Sequence, residues 1–327
     1  MAPDAKTPPD LVDALYFVQE TSSPDDVDAL LEDAEAAGVP VSDAPDATAA
    51  DIAIDIWLSK PALLQMRHAQ ALAVRQQSFD YHGGRTGGRR SFPRIDEAAR
   101  QRIEAAFDDW FDSKMRGRGS KLLDFRQGHL VWLLVRHGER VRREASHGDD
   151  GSAGTALYRP QKHDVLVYDE GTDEIAVHAG TLGEKRLYLR TLGEHLFGDE
   201  AYFPSGPRFT LSPLANEGAE ALLCKDIPGI EAIRLVEYRL NWGGSHGEQE
   251  VRRATDIYAA AEARSIEQPI TREPAAAVFK VKFADSARER RVTIRKPASA
   301  RYERNDDGVV IEAWLRARGF LVGTAAG

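Results

Sequence analysis

The stretch from Asp164 to Gly180, DVLVYDEGTDEIAVHAG, decides the fold class. Val165, Val167 and Tyr168 precede a glycine-containing turn, and Ile175 and Val177 follow it. β-Branched and aromatic residues on both sides of such a turn are the mark of an antiparallel hairpin. The same grammar recurs further along the chain. Residues 230–242, IEAIRLVEYRLNW, read as one long strand, and residues 277–297, AVFKVKFADSARERRVTIRKP, read as a second hairpin. Helices come between and after these strands. EKRLYLRTLGEHLFGD (184–199) stops at Gly198, and NDDGVVIEAWLRARGF (305–320) has an Asn/Asp cap at its start and Gly319 past its end. Strands that come in hairpins, not in strand–helix–strand alternation, favour an α+β fold with a mostly antiparallel sheet and a C-terminal helix.

Upstream of residue 120 the pattern is helical. SSPDDVDALLEDAEAAG (22–38) offers Ser23 as N-cap, Pro24 at the first helical position and an apolar stripe of Val27, Leu30, Leu31 and Ala34. Residues 48–77 read as two helices broken at Pro61, and 94–115 as another with Ile103 and Phe107 facing inward. Glycine-rich HGGRTGGRRSFPR (82–94) is expected to be a loop. The expected organisation is a helical region over 1–120, acidic at 1–55, packed on a mixed, mostly antiparallel domain over 121–327. No internal repeat is visible in the sequence.

Composition narrows the function classes. The chain has 327 residues, 42% apolar and 29% charged, as a globular protein does. Its single cysteine, Cys224, offers neither a disulfide framework nor a thiolate metal site, and a cytoplasmic, prokaryotic-type protein is the expectation. The start, MAPDAKTPPD, lacks the order of a signal peptide, and the longest apolar run, LVWLLV, is far short of a membrane span, so no membrane partner is expected. Charge is uneven. Residues 1–55 hold 14 Asp and Glu against Lys6 alone, which leaves the rest of a chain of net charge −9 mildly basic.

HLVWLLVRHGERVRRE (129–144) bears on catalysis. The apolar run ends in Arg136-His137-Gly138, and GGSHGE places Ser245-His246-Gly247 after a strand. In these residues the chain resembles the histidine phosphatase family. The resemblance implies a phosphoryl-accepting His137, an Arg136 that binds the phosphate oxygens and a His246 that completes the pocket. The residues after Gly138 alternate as a returning strand, and the reading preferred here is an ordinary hairpin with its turn near Gly138. The hairpin at 164–178 also resembles the metal-binding hairpin of restriction-type nucleases, with Asp164 and Glu174 as the acids, although Ala176 stands where that pattern has a lysine. The chain contains no GxxxxGK[ST] loop, no GxGxxG after a strand and no GxSxG elbow, so no cofactor and no metal is implied.

What remains is clustered arginine. GGRTGGRRSFPR (83–94) has four arginines and no acid, among them Arg85, Arg89 and Arg90. Residues 280–304 hold nine Lys and Arg against three acids, among them Arg288, Arg290, Arg291, Arg295 and Lys296. Alternation puts Arg291, Thr293 and Arg295 on one face of a strand. These eight cations are the expected contacts to a nucleic-acid backbone. The expected role is a non-catalytic interaction or regulatory protein, a nucleic-acid-associated subunit with a protein partner.

Overall fold

The computed structural model of the chain describes residues 7–23, 27–42, 46–85, 88–147, 151–303 and 306–322. Two compact units divide at residues 73 and 74. Four helices occupy the first: α1 (Pro9–Thr21), α2 (Val27–Ala37), α3 (Ala49–Ser59) and α4 (Pro61–Val74), whose last residue falls in the second unit. Leu30, Ala34, Ile52, Ile56 and Leu64 form its core. Thr48 caps α3 reciprocally with Asp51, and Pro61 separates α3 from α4 as expected. Pro24, expected to start α2, lies outside the described residues, as does Asn305 before the last helix.

The second unit is a ten-stranded antiparallel sheet with helices, an α+β fold. Its strands are β1 (Ser78–Gly83), β2 (Lys121–Gln127), β3 (Leu130–Gly138), β6 (Gln161–Asp169), β7 (Glu174–His178), β8 (Ile230–Gly243), β9 (Glu248–Arg253), β10 (Ala276–Phe283), β11 (Glu289–Arg295) and β12 (Ser299–Arg301). They lie in the order β2-β3-β6-β7-β1-β12-β11-β10-β8-β9. Its main helices are α5 (Glu97–Ser113), α6 (Leu182–Phe197) and α9 (Asp306–Ala317), with the short α7 (Ser212–Asn216) and α8 (Ile257–Glu262) between. A glycine in the left-handed region, Gly198 at φ 73°, ends α6. Among the described residues no helix is long and apolar enough to cross a membrane.

Two four-stranded meanders, β2-β3-β6-β7 and β8-β10-β11-β12, each lead into a helix, α6 and α9. Strand β1 joins them, pairing with β7 on one side and β12 on the other. The register tells which face each helix covers, because residues paired across antiparallel strands point the same way. Val131, Leu133 and Val135 of β3 share a face with Leu166, Tyr168, Ile175 and Val177, and this face packs on Ile103, Phe107 and Phe111 of α5 and Leu187, Tyr188 and Leu192 of α6. Following the pairs through Asp80, Ser299, Arg295 and Ala276, that same face continues over the second meander as its polar side. There α9 lies on the opposite face, where Trp314 meets Phe279 edge-on at 5.2 Å. The second meander therefore keeps a polar face that neither α5, α6 nor α9 covers.

Two expectations need correction. The strand after Gly138 does not return along β3. β4 (Arg142–His147) pairs only with β5 (Ala153–Tyr158), in a separate two-stranded sheet whose twelve residues are all exposed. β3 pairs instead with β2 and β6. The physical reason is burial. Val131 to Val135 are at most 1% exposed, so neighbours of β3 must be apolar on at least one face, and the charged RREASH cannot supply that. The second correction is β1, which begins just past the helix expected to end at residue 77 and runs into the expected loop at residues 82 and 83. With β1 in the sheet and α5 packed on it, residues 78–113 belong with the strands. Their compact unit therefore begins before the change from helical to strand pattern near residue 120.

Phe107 is fully buried and meets the Tyr188 ring at 5.2 Å. Phe107→Ala should cost about 3–5 kcal/mol from lost transfer energy and an unfilled cavity. In urea the midpoint should fall at constant slope, and a changed slope would mean that the variant alters the unfolded or native ensemble instead.

Candidate polyanion-binding face

The face that α5, α6 and α9 leave is built in four rows of side chains. In the first, Ala276 of β10 pairs with Arg239 of β8 on one side and Arg295 of β11 on the other, and Arg295 pairs in turn with Ser299. In the second, Val278 pairs with Glu237 and Thr293, Thr293 with Arg301, and Glu237 with Arg253 of β9. The third holds Arg234, Lys280 and Arg291, and the fourth Ala232, Lys282 and Glu289. Strand alternation explains the segregation, since the residues between them, Phe279, Val281, Val292 and Ile294, are buried on the side of α9. Arg239, Arg291, Arg295 and Arg301, with Gln77 and Glu237, surround a depression whose floor is Ala276, Val278 and Thr293.

Eight cations, Lys282 among them, share this face with two acids, and both acids are engaged. Glu237 lies 2.9 Å from Arg253 Nε and 3.6 Å from Arg291. Glu289 pairs with Arg234 and, at 3.3 Å, with Lys280, and the Arg234 hydrogen bond holds its carboxyl below the usual range. Arg239, Arg295 and Arg301 have no ion-pair partner among the described residues. The Nε of Arg239 is shut off from solvent and has no hydrogen-bond partner there. An unmet buried donor costs about 1–3 kcal/mol, so this face carries a standing demand for an acceptor.

The eight expected contacts are dispersed. Only Arg291 and Arg295 lie on this face. Arg290 points the other way, with Nε 3.2 Å from Asp307 and 3.3 Å from Glu303, and Lys296 is paired with Glu273. Arg288 is exposed in the β10–β11 turn. Arg85 pairs with Asp199 at 2.8 Å. Arg90 donates to the Tyr202 hydroxyl at 2.9 Å and lies over the rings of Phe197 and Tyr202, while Arg89 is exposed. Arg239 and Arg301 are the additions. Glu237 and Arg239 do alternate within EYRLNW, but only the pairing of β8 with β10 brings Arg239 to β11.

The alternative catalytic residues are not brought together. His137 is 2% exposed, stacks on Phe111 at 4.0 Å and faces Asp164 Oδ2 at 3.2 Å beneath α5 and α6. Arg136 projects from the opposite face of β3. His246 is exposed in the β8–β9 turn, seven strands away in the sheet order, roughly 30 Å at the usual strand spacing. Asp164 and Glu174 sit at opposite ends of the β6–β7 hairpin and on opposite faces. Instead, Glu174 pairs with Arg208, and burial raises its carboxyl to about 7.

Around His137 lies an internal ionic network. His137, Asp164 and Glu184 bring ligand-type atoms within 4.8 Å of one another, the spacing of a metal site. Two cations already serve the carboxylates. Lys162 Nζ is 2.9 Å from Asp164 and 3.3 Å from Glu184, and Arg116 donates to Glu184. Tyr188 adds a hydrogen bond of 2.7 Å to Asp164. With its charges matched, the cluster fits a structural lock that ties α6 to the sheet better than it fits a metal centre. Comparison with protein-family models finds none that matches this chain, and comparison with curated proteins finds no match either.

This network predicts how stability responds to acid. Burial opposes ionisation of Asp164 and Glu184. For Asp164 the His137 hydrogen bond, Lys162 and Tyr188 outweigh burial; for Glu184 the Arg116 hydrogen bond and Lys162 do so against Asp164, and both carboxyls are held below their ordinary values. A lowered folded-state pKa contributes stability above the unfolded value, and that stability is lost as pH falls through the folded one. The melting temperature should therefore be level, as far as these groups set it, from neutral pH down to about 5 and fall below about 4.5. Lys162→Met should cost about 2–4 kcal/mol at pH 7 by stranding the carboxylates, and the cost should shrink in acid. Calorimetric scans across pH check both, and a cost that grows in acid would contradict the network.

Proposed function

We propose that this protein is a non-catalytic nucleic-acid-associated protein that holds a sugar–phosphate backbone on the open face of β8 to β12. The observation that carries the reading is the set of arginines without ion-pair partners among the described residues, Arg239, Arg295 and Arg301, with Arg291 at the edge of the same depression. Guanidinium groups in a fixed array suit phosphate oxygens, through two parallel hydrogen bonds as well as charge. The described residues lining the depression include no aromatic ring for bases to stack on, which favours contact with the backbone over readout of bases. Nor do they include a histidine, a cysteine or a pair of carboxylates, in keeping with binding without chemistry. A face of this kind suits a subunit that anchors nucleic acid for a protein partner.

Fluorescence anisotropy of labelled duplex and single-stranded oligonucleotides, from roughly 25 to 200 mM salt, tests the reading. Affinity should fall steeply with salt, with a slope of about −0.9 per phosphate neutralised on duplex DNA. Replacing Arg291 and Arg295 by Glu should flatten the slope by about two units without altering base preference. Absence of binding at the lowest salt, or equal binding by the double variant, overturns it.

A further inference from the structure

The face is more than a diffuse field of charge, because its register builds a socket. We infer that one phosphate group is seated over Ala276, clamped between Arg239 and Arg295, with Arg301 and the Thr293 hydroxyl alongside. The inference rests on reading this face as a phosphate binder, and it names the point at which the phosphate is gripped.

Ala276 stands in register with a partner on both sides, so Arg239, Ala276 and Arg295 form one row across three adjacent strands. The two arginine Cα atoms are then two strand spacings apart, about 9–10 Å. Between them stands only a methyl group. That gap suits a phosphate with one guanidinium on each side, each N–H···O contact about 2.8 Å. In the adjacent row the corresponding positions are Val278 and Thr293, also small, and Arg301 pairs with Thr293. All of these residues line the same depression.

The neighbouring acids do not fill this socket. Glu237 is turned to Arg253 and Arg291. Asp80, further along the first row beyond Ser299, is 2.5 Å from Lys185 of α6. Arg239 keeps a shielded Nε–H without an acceptor among the described residues, and a phosphate oxygen over Ala276 would supply one. A bare basic surface would not need to bury this donor. The same chemistry is offered by a backbone phosphate and by a free phosphate compound, and competition between them separates the two sources.

Inorganic pyrophosphate is the probe, used on the full chain in two formats: calorimetric titration, and displacement of a labelled oligonucleotide against sodium chloride at matched ionic strength. Pyrophosphate should displace the oligonucleotide at an ionic strength at least tenfold below that needed with chloride. Ala276→Leu fills the socket without changing charge. It should weaken pyrophosphate at least tenfold and reduce the oligonucleotide salt slope by about one unit, the share of one phosphate. Arg239→Lys keeps the charge but loses the forked geometry, and should act in the same direction. Melting temperatures close to wild type establish that both variants are folded.

If the oligonucleotide binds but pyrophosphate competes no better than chloride, the socket is wrong and the broader reading of the face stands. Unchanged pyrophosphate affinity in folded Ala276→Leu and Arg239→Lys would equally remove the socket. Failure of wild type to bind either probe removes the face and the socket together.

Discussion

The seam made by β1 is the constraint on which the second unit depends. Six residues, Ser78 to Gly83, are hydrogen-bonded to β7 along one edge and to β12 along the other. Their alternation serves both neighbours at once. Phe79 and Tyr81 are buried on one face, and Tyr81 meets the Tyr302 hydroxyl at 2.7 Å. Asp80 and His82 face the other way, and Asp80 reaches Lys185 of α6. A sheet interrupted here would have two further open edges, each with unpaired backbone groups. Because β1 pairs with both meanders, it also carries the register from one to the other, and that register decides which residues of the second meander share a face with the first.

Continuity across the seam, with helices on opposite faces of the two meanders, divides labour between the halves. The face beneath α5 and α6 is sealed by rings and by the ionic network around Asp164 and Glu184. The same face, once past β1, is free of α5, α6 and α9 and carries arginine. Burial and exposure thus alternate along a single sheet without any change in its hydrogen bonding. The two histidine-containing motifs that look alike in sequence, RHG and SHG, meet different environments. His137 lies under helices, and His246 is in solvent at a hairpin turn.

Much of the fold is legible in the sequence because hairpins and amphipathic helices are local. The strands at 161–178 and 276–295, the long β8, and α5, α6 and α9 follow from period and turn residues alone. β1 is harder to see. SFDYHG is short, runs into a glycine-rich segment, and owes its strand conformation to partners roughly 100 and 220 residues away. The pairing of β4 with β5 is obscured for a related reason, since alternation marks a strand but does not name its neighbour. The binding face shows the same division. Arg291, Thr293 and Arg295 can be assigned to one face from spacing, whereas Arg239 joins them only through the β8–β10 register. The side-chain pairs that remove Arg85, Arg90, Arg290 and Lys296 from that face are likewise long-range or set by turn geometry.

The seam also sets the order in which a growing chain can complete itself. β1 finds its first partner when β7 has been made, near residue 178, but its second edge waits for residues 299–301. At about 5–20 residues per second, synthesis of the intervening 120 or so residues takes roughly 6–24 s. For that interval the strands available to the sheet are the first meander and β1, which would leave SFDYHG as an open edge. Tyr81 then still lacks part of its eventual cover, since Tyr302 and Phe209 lie downstream. A ribosome-bound chain folded to this stage would present both an aromatic side chain and a hydrogen-bonding edge, the combination that molecular chaperones engage.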